Sequence, residues 1–310
     1  MDFSMEQLRT LSAVIETGSL EAAAAGLQLT ASAVSQRLKA MELQAGSVLV
    51  VRTRPVRATA SGEILLTLAR QVLLLGAEAE AALVGPESDV DPGRVHVTVA
   101  VNADSLASWF GAALSGLARE TGLSVEILRE DEEHASGLLR SGSVMGAVTT
   151  KKAPVQGCSS TRLGVMRYRA MANPEFAERW FGSGSDPASI AGAPAVHFDR
   201  NDSLQTSMQR MIAREIGLQG LVFAPAFYVP DSRQYVNAVV LGLGWGMVPD
   251  VQDPADGSLV RLNPGWEHSV TLYWQRWKLE SAALDRITKV VLDAAAEAGL
   301  DGPNPKLNDG

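Results

Sequence analysis

With 310 residues, 46% of them apolar, the chain is long enough for two or three cored domains. Its 35 acidic and 27 basic side chains leave a formal net charge of −8, which excludes a uniformly basic nucleic-acid binder but not a local basic patch. The single cysteine, Cys158, excludes an intrachain disulfide and suits a reducing cytoplasm; without a second thiol or a nearby histidine it reads as a structural or bystander residue. No run of eighteen apolar residues is present, so no transmembrane helix is expected, and no secretory signal precedes the first motif.

The first elements lie in residues 19–42, SLEAAAAGLQLTASAVSQRLKAME. Ser19 is an N-cap candidate for a short helix whose Ala22–Ala25 run and Leu27 let a partner pack closely, and Thr30 is the cap candidate for a second. Val34, Leu38 and Met41 recur at helical spacing, leaving Ala31, Ser32, Ser35, Gln36 and Lys39 on the other sides. One face to hold the helix and one to enter the major groove is what a helix-turn-helix requires. The local charge agrees: from residue 37 to 57, Arg37, Lys39, Arg52, Arg54 and Arg57 are opposed only by Glu42. The expected DNA-contacting set is Thr30, Ala31, Ser32, Ser35, Gln36, Arg37, Lys39, Arg52 and Arg54.

Residues 63–84 contain no proline and one glycine, Gly76. Leu65, Leu68, Val72, Leu75, Ala79 and Ala82 are spaced 3-4-3-4-3, the seam of a coiled coil. Ile64, Leu66, Leu73 and Leu74 are apolar off that seam, so the helix packs on more than one partner. An ordinary buried helix fits the seam equally well; its place directly after a DNA-binding unit favours dimerisation, because symmetric sites are read by symmetric dimers.

The stretch 85–93, GPESDVDPG, reads as a hinge. Beyond it strands and helices alternate: a strand over 94–101, a helix over 104–120, a strand over 123–128, a helix over 133–140 and a strand over 145–149. Then follow MRYRAMA, a helix PEFAERWF, strand PAVHF, helix SLQTSMQRMIAREI, strand LVFAPAF, helix SRQYVNAVVLG, strands WGMVP and VTLYW, and a last helix over 281–298 with Leu284, Ile287, Val291 and Ala294 on one stripe. Residues 301–310 form a polar tail. Such alternation implies a mainly parallel sheet covered by helices, as one domain or two lobes, with ligands beyond the carboxyl ends of the strands.

Residues 8–66 resemble the N-terminal domain of LysR-type transcriptional regulators, through LRTLSAVIETGSLEAAAAGL, TASAVSQRLKAMELQAGSVLVVRT and TASGEILL. The resemblance implies an all-α winged helix-turn-helix over 1–60, with its wing at about 48–59, and a long linker helix over 61–84. It further implies an α/β, two-lobed, periplasmic-binding-protein-like effector domain over 94–300. By the same analogy the chain crosses between lobes near 160 and 266, so that 94–160 and 267–300 form one lobe and 161–266 the other. A homodimer or homotetramer, an interrupted palindrome in double-stranded DNA and contact with RNA polymerase are implied as well. Ala31 stands where many members carry glutamine, which exchanges an adenine-pairing amide for a methyl that can only touch a base such as thymine.

LVVRTRPVRAT, AVNADSLASWF, FAERWF and APAVHFD further resemble the branch known as LysG or ArgP, whose members respond to lysine, arginine or other basic amino acids and switch on their exporters. Asn102, Asp104 and Ser105 sit where the first strand turns into its helix, a position suited to a carboxylate. Thr149 and Thr150 end a strand and are further hydroxyl donors. Cation partners are sought among Asp104, Glu130, Asp131, Asp199 and Asp202. Asp104 and Asp202 serve equally well as helix caps, and Glu130 and Asp131 open a run that also reads as solvated surface. Trp245 either lines the cleft or packs between lobes, and His197 reads as a packed strand-end residue. Walker, HExxH, Cys/His and G-x-S-x-G patterns are absent, so neither an enzyme nor a metal or organic cofactor is expected. An exported two-lobed binding protein is the other rival, disfavoured by the helix-turn-helix.

Overall fold

The hydroxyl of Ser4 accepts the Gln7 amide while Gln7 Oε1 accepts the Ser4 amide, and this capping box starts α1 (Met5–Thr17). The computed structural model describes residues 2–83, 94–183, 186–217 and 227–300. Ser19 caps α2 (Leu20–Gly26) through the Ala22 amide, and Thr30 caps α3 (Ala31–Ala45) through the Ala33 amide. Between them Gln28 takes a left-handed φ of 56°, which turns the chain within four residues. Strands β1 (Val50–Val51) and β2 (Arg57–Ala58) pair antiparallel as the wing. The linker α4 (Ala60–Leu83) begins immediately after it. A side chain at Gly62 would sit 2.0 Å from the Leu49 carbonyl oxygen, so glycine lets α4 lie directly on the wing.

Leu11, Val34, Leu38 and Met41 form the core of this head, joined by Leu65, Leu66 and Ala69 of α4. Leu65 therefore does not belong to an open seam; burial in the head takes it. The apolar stripe left outside is Ile64 (77% exposed), Leu68 (47%) and Leu75 (37%), with Ala79 exposed and Val72 half-buried beside it. The head, chiefly α1, claims the face carrying Leu65, Leu66 and Ala69, so the exposed stripe keeps Leu68, Leu75 and Ala79 but starts at Ile64 in place of Leu65. Further along α4, Leu74 enters the core of the C-terminal body. By length and composition alone α4 is also apolar enough to cross a membrane, a test that core helices of water-soluble proteins pass as well.

The body begins with β3 (Val95–Val101), α5 (Ala103–Ala107), α6 (Phe110–Leu117), β4 (Leu123–Arg129), α7 (Glu132–Ser141) and β5 (Gly146–Thr149). The single helix expected over 104–120 is broken at Ser108, whose φ and ψ of −126° and −106° are not helical and whose hydroxyl donates to the Asp104 carbonyl. The long β6 (Cys158–Ala172) leads to α8 (Pro174–Phe181), α9 (Pro187–Gly192), β7 (Val196–His197), α10 (Ser203–Glu215), β8 (Phe227–Tyr228), α11 (Ser232–Val240), β9 (Gly246–Pro249) and β10 (Val260–Arg261). The long β11 (Glu267–Trp277) returns to α12 (Ala282–Glu297).

The main sheet runs β10-β6-β11-β5-β3-β4, with β9 also on β6. Only β3–β4 and β3–β5 are parallel in it; the other pairs are antiparallel. The mainly parallel sheet expected from alternation is thus a mixed one, because β6 and β11 run against each other between the two lobes. The hinge 85–93, the tail 301–310 and most of the strand expected over 221–227 lie outside the described residues.

Candidate DNA-binding surface and effector cleft

On α3 the stripe Val34, Leu38 and Met41 is fully buried, which turns Ser32, Gln36 and Lys39 to solvent, with Ser35 half-exposed beside them. Arg52 Nη2 donates to Ser35 Oγ at 3.3 Å and ties the wing to this helix. Arg52, Arg54 and Arg57 are exposed on the wing. Glu42 is drawn inward, its Oε1 accepting the Leu49 amide at 2.9 Å, so the acidic residue of this stretch helps to set the wing. Two expected members also contact the head itself. Arg37 turns to α1 and pairs with Glu6 at 2.7 Å, and Ala31 packs on the edge of the head core. Thr30 is exposed and acts as the cap. Ser32, Ser35, Gln36 and Lys39 of α3 thus face solvent, as do the wing arginines.

Between the lobes lies a cleft of about 1230 Å³. Amino-acid-sized ligands occupy a fraction of such a volume. Asn102, Arg129, Glu130, Asp131 and Thr150 line it from the carboxyl ends of β3, β4 and β5; Phe198, Asp199 and Asp202 line it from the other lobe; Tyr168 and His268–Thr271 form the wall along β6 and β11. Among the described residues, five carboxylates, Asp104, Glu130, Asp131, Asp199 and Asp202, face it with one arginine, Arg129.

The carboxylates are not equivalent. Asp104 accepts Tyr168 Oη on Oδ2 and Ser232 Oγ on Oδ1, both at 2.6 Å, and its carbonyl accepts Gln252 Nε2. It clasps one lobe to the other, with each carboxylate oxygen already accepting one hydroxyl. Asp202 caps α10 through the Gln205 amide and takes the Phe198 amide on its second oxygen. Asp131 caps α7 and also meets the His134 ring. Asp199 Oδ1 accepts the Asn201 amide. Glu130 alone among these five makes no side-chain hydrogen bond or ion pair within the described residues.

Asn102 caps α5 without a side-chain bond, and its Oδ1 is buried without a partner among the described residues. Ser105 Oγ is likewise buried and unpartnered, but Ser105 lies behind the wall. Thr149 is buried and accepts the Lys151 amide, while Thr150 reaches the cleft. Trp245 does not line the cleft: it is 1% exposed and packs edge-on to Phe181. His197 is buried against Tyr228, and burial lowers its pKa. Burial pushes the Cys158 thiol up to about 11, which removes its nucleophilic form at neutral pH. Arg129, Tyr168, Ser232 and His268 were not singled out in the sequence. Arg129 carried a usable signal, standing at the carboxyl end of a strand beside Glu130; the others carried none.

A DNA-reading head joined by a long helix to a two-lobed, ligand-sized cleft defines a ligand-responsive DNA-binding regulator. Residues 5–63 match the family model for bacterial regulatory helix-turn-helix proteins of the lysR family, and residues 91–296 match that for the LysR substrate binding domain. The chain belongs to the LysR family of transcriptional regulators, and is not an enzyme. It is 44% identical over 293 residues to the HTH-type transcriptional regulator LysG of Mycobacterium tuberculosis, covering 94% of this chain and 93% of that one. It is 38% identical over 299 residues to the lysine export transcriptional regulatory protein LysG of Corynebacterium glutamicum, covering 94% and 97%. The structure of full-length LysG from Corynebacterium glutamicum with bound effector Arg superposes with a TM-score of 0.76 at 37% identity, covering 95% of this chain and 99% of that one.

Proposed function

We propose that this regulator senses a basic amino acid, lysine or arginine, and controls the gene of an exporter for it. The observation that carries the reading is the charge of the cleft, five carboxylates against one arginine among the described residues, in a chain that carries a DNA-reading head. A ligand with one carboxylate and two cationic groups matches that balance; a dicarboxylate or neutral amino acid does not. Glu130 and Asp199, from opposite lobes, hold the cations, and Arg129 with Asn102 and Thr150 receives the α-carboxylate. The names of the two relatives and the arginine-bound structure support the same ligand class.

The working unit is a cytoplasmic homodimer or tetramer on an interrupted palindrome, where it meets RNA polymerase. The stripe Ile64, Leu68, Leu75 and Ala79 forms the dimer contact. The functional division is the head over 1–60, the linker over 61–84 and the two lobes meeting at β6 and β11.

Calorimetry and thermal shift with the amino acids test the ligand. Lysine or arginine at a hundred times its dissociation constant should add roughly 2.7 kcal/mol of stability, and glutamine or methionine much less. No heat with either basic amino acid, together with binding of an aromatic or dicarboxylic compound, would overturn the ligand while leaving the family untouched.

A further inference from the structure

We propose that the corner between α7 and β5 is the contact through which the cleft acts on the DNA-binding head, with Arg70 of the linker helix as its positioning residue. The inference rests on the proposed ligand-sensing role of the cleft.

Arg70 Nη1 donates to the Ser141 carbonyl and to Ser143 Oγ, both at 2.9 Å, and Thr67 Oγ1 donates to the same carbonyl at 3.1 Å. The Ser141 and Ser143 hydroxyls are themselves 2.8 Å apart. Gly142, with a left-handed φ of 70°, ends α7 between them; a side chain there would be strained and would reach the Thr67 backbone at 3.6 Å. The guanidinium thus sits at the negative end of α7, on the Ser141 carbonyl, which has no partner inside the helix.

Both far ends of this corner are at the cleft. Asp131, the cap of α7, and Thr150, directly after β5, line it. The helix spans ten residues, about 15 Å. β5 is held between β3 and β11 and cannot slide on its own. A ligand that moves Asp131 or Thr150 therefore moves the corner. On the other side, Ala69, the residue before Arg70, is fully buried in the core of the head. One turn of α4 is bonded to the sensing body and packed into the DNA-reading head.

The test uses the full chain and measures its affinity for operator DNA by fluorescence anisotropy with and without saturating L-lysine or L-arginine. The wild-type protein should show a ratio of the order of tenfold. In Arg70→Met that ratio should fall to within about twofold of one, while the amino-acid dissociation constant measured without DNA stays within about threefold. Ser143→Ala, which removes one acceptor and leaves the Ser141 carbonyl, should give an intermediate ratio and serves if Arg70→Met does not fold. An unchanged ratio in a folded variant overturns the proposal. A second arm needs no amino acid: Asp131→Ala should alter DNA affinity in the wild-type background and not in Arg70→Met. Additive effects there overturn the corner even if neither amino acid binds, an outcome that would by itself refute only the ligand reading.

Discussion

Glu130→Gln is the sharpest test of the cleft chemistry. The substitution keeps the shape of the side chain and removes one charge. Glu130 is half-buried directly after β4, and its side chain makes no hydrogen bond or ion pair among the described residues, so little native structure depends on its charge. A hydrogen bond to a charged group contributes about 1.5–3 kcal/mol, and partial exposure places this one near the lower end. A loss of about 1–2 kcal/mol corresponds to binding of lysine or arginine weakened about 5- to 30-fold. Affinity for glutamine, which offers no side-chain cation, should change less than about twofold. Asp104→Asn should behave oppositely. It disrupts the bonds to Tyr168 and Ser232 that join the lobes, so it should lower the melting temperature without selectively weakening cationic ligands. Isothermal titration of both variants with lysine, arginine and glutamine decides the matter. An unchanged lysine affinity in Glu130→Gln would refute the assignment of Glu130 as a cation partner.

Neighbouring linker residues should part company. If the proposed dimer forms through the exposed stripe, Ile64→Glu should dissociate it in sedimentation with little effect on folding, whereas Leu65→Ala should cost about 2–5 kcal/mol of head stability in urea denaturation. On the wing, Arg52→Ala should weaken binding to all DNA sequences alike and reduce the log–log salt slope by about one, as gel shifts across salt concentrations would show. His197 supplies a pH signature. Burial lowers its native pKa, so the unfolded chain takes the proton first, and stability present above about pH 6.5 is lost as pH falls through the native value. His197→Phe should show a shallower loss as pH falls below about 6.5, measured by chemical denaturation.

Much of the reading head was legible in the sequence because its determinants are local. Ser19 and Thr30 cap helices through amides three residues away, and Val34, Leu38 and Met41 define a buried stripe within a single helix. The last helix follows the same logic, with Ser281 as its cap and Leu284, Ile287 and Val291 buried. Alternation of strands and helices announced an α/β body. It did not reveal that β6 and β11 run antiparallel, since strand direction depends on which partner a strand finds. Only the tertiary structure decided which apolar residues of α4 remain outside, because the core of the head takes Leu65 and leaves Ile64. The same holds for the cleft carboxylates. Asp104 and Glu130 look alike as strand-end acids, yet Asp104 is bonded to Tyr168 and Ser232, 64 and 128 residues away, and Glu130 is not. A cap or stripe is an interaction within a few residues and is written in the chain; whether a carboxylate is occupied or free depends on groups brought to it from remote segments.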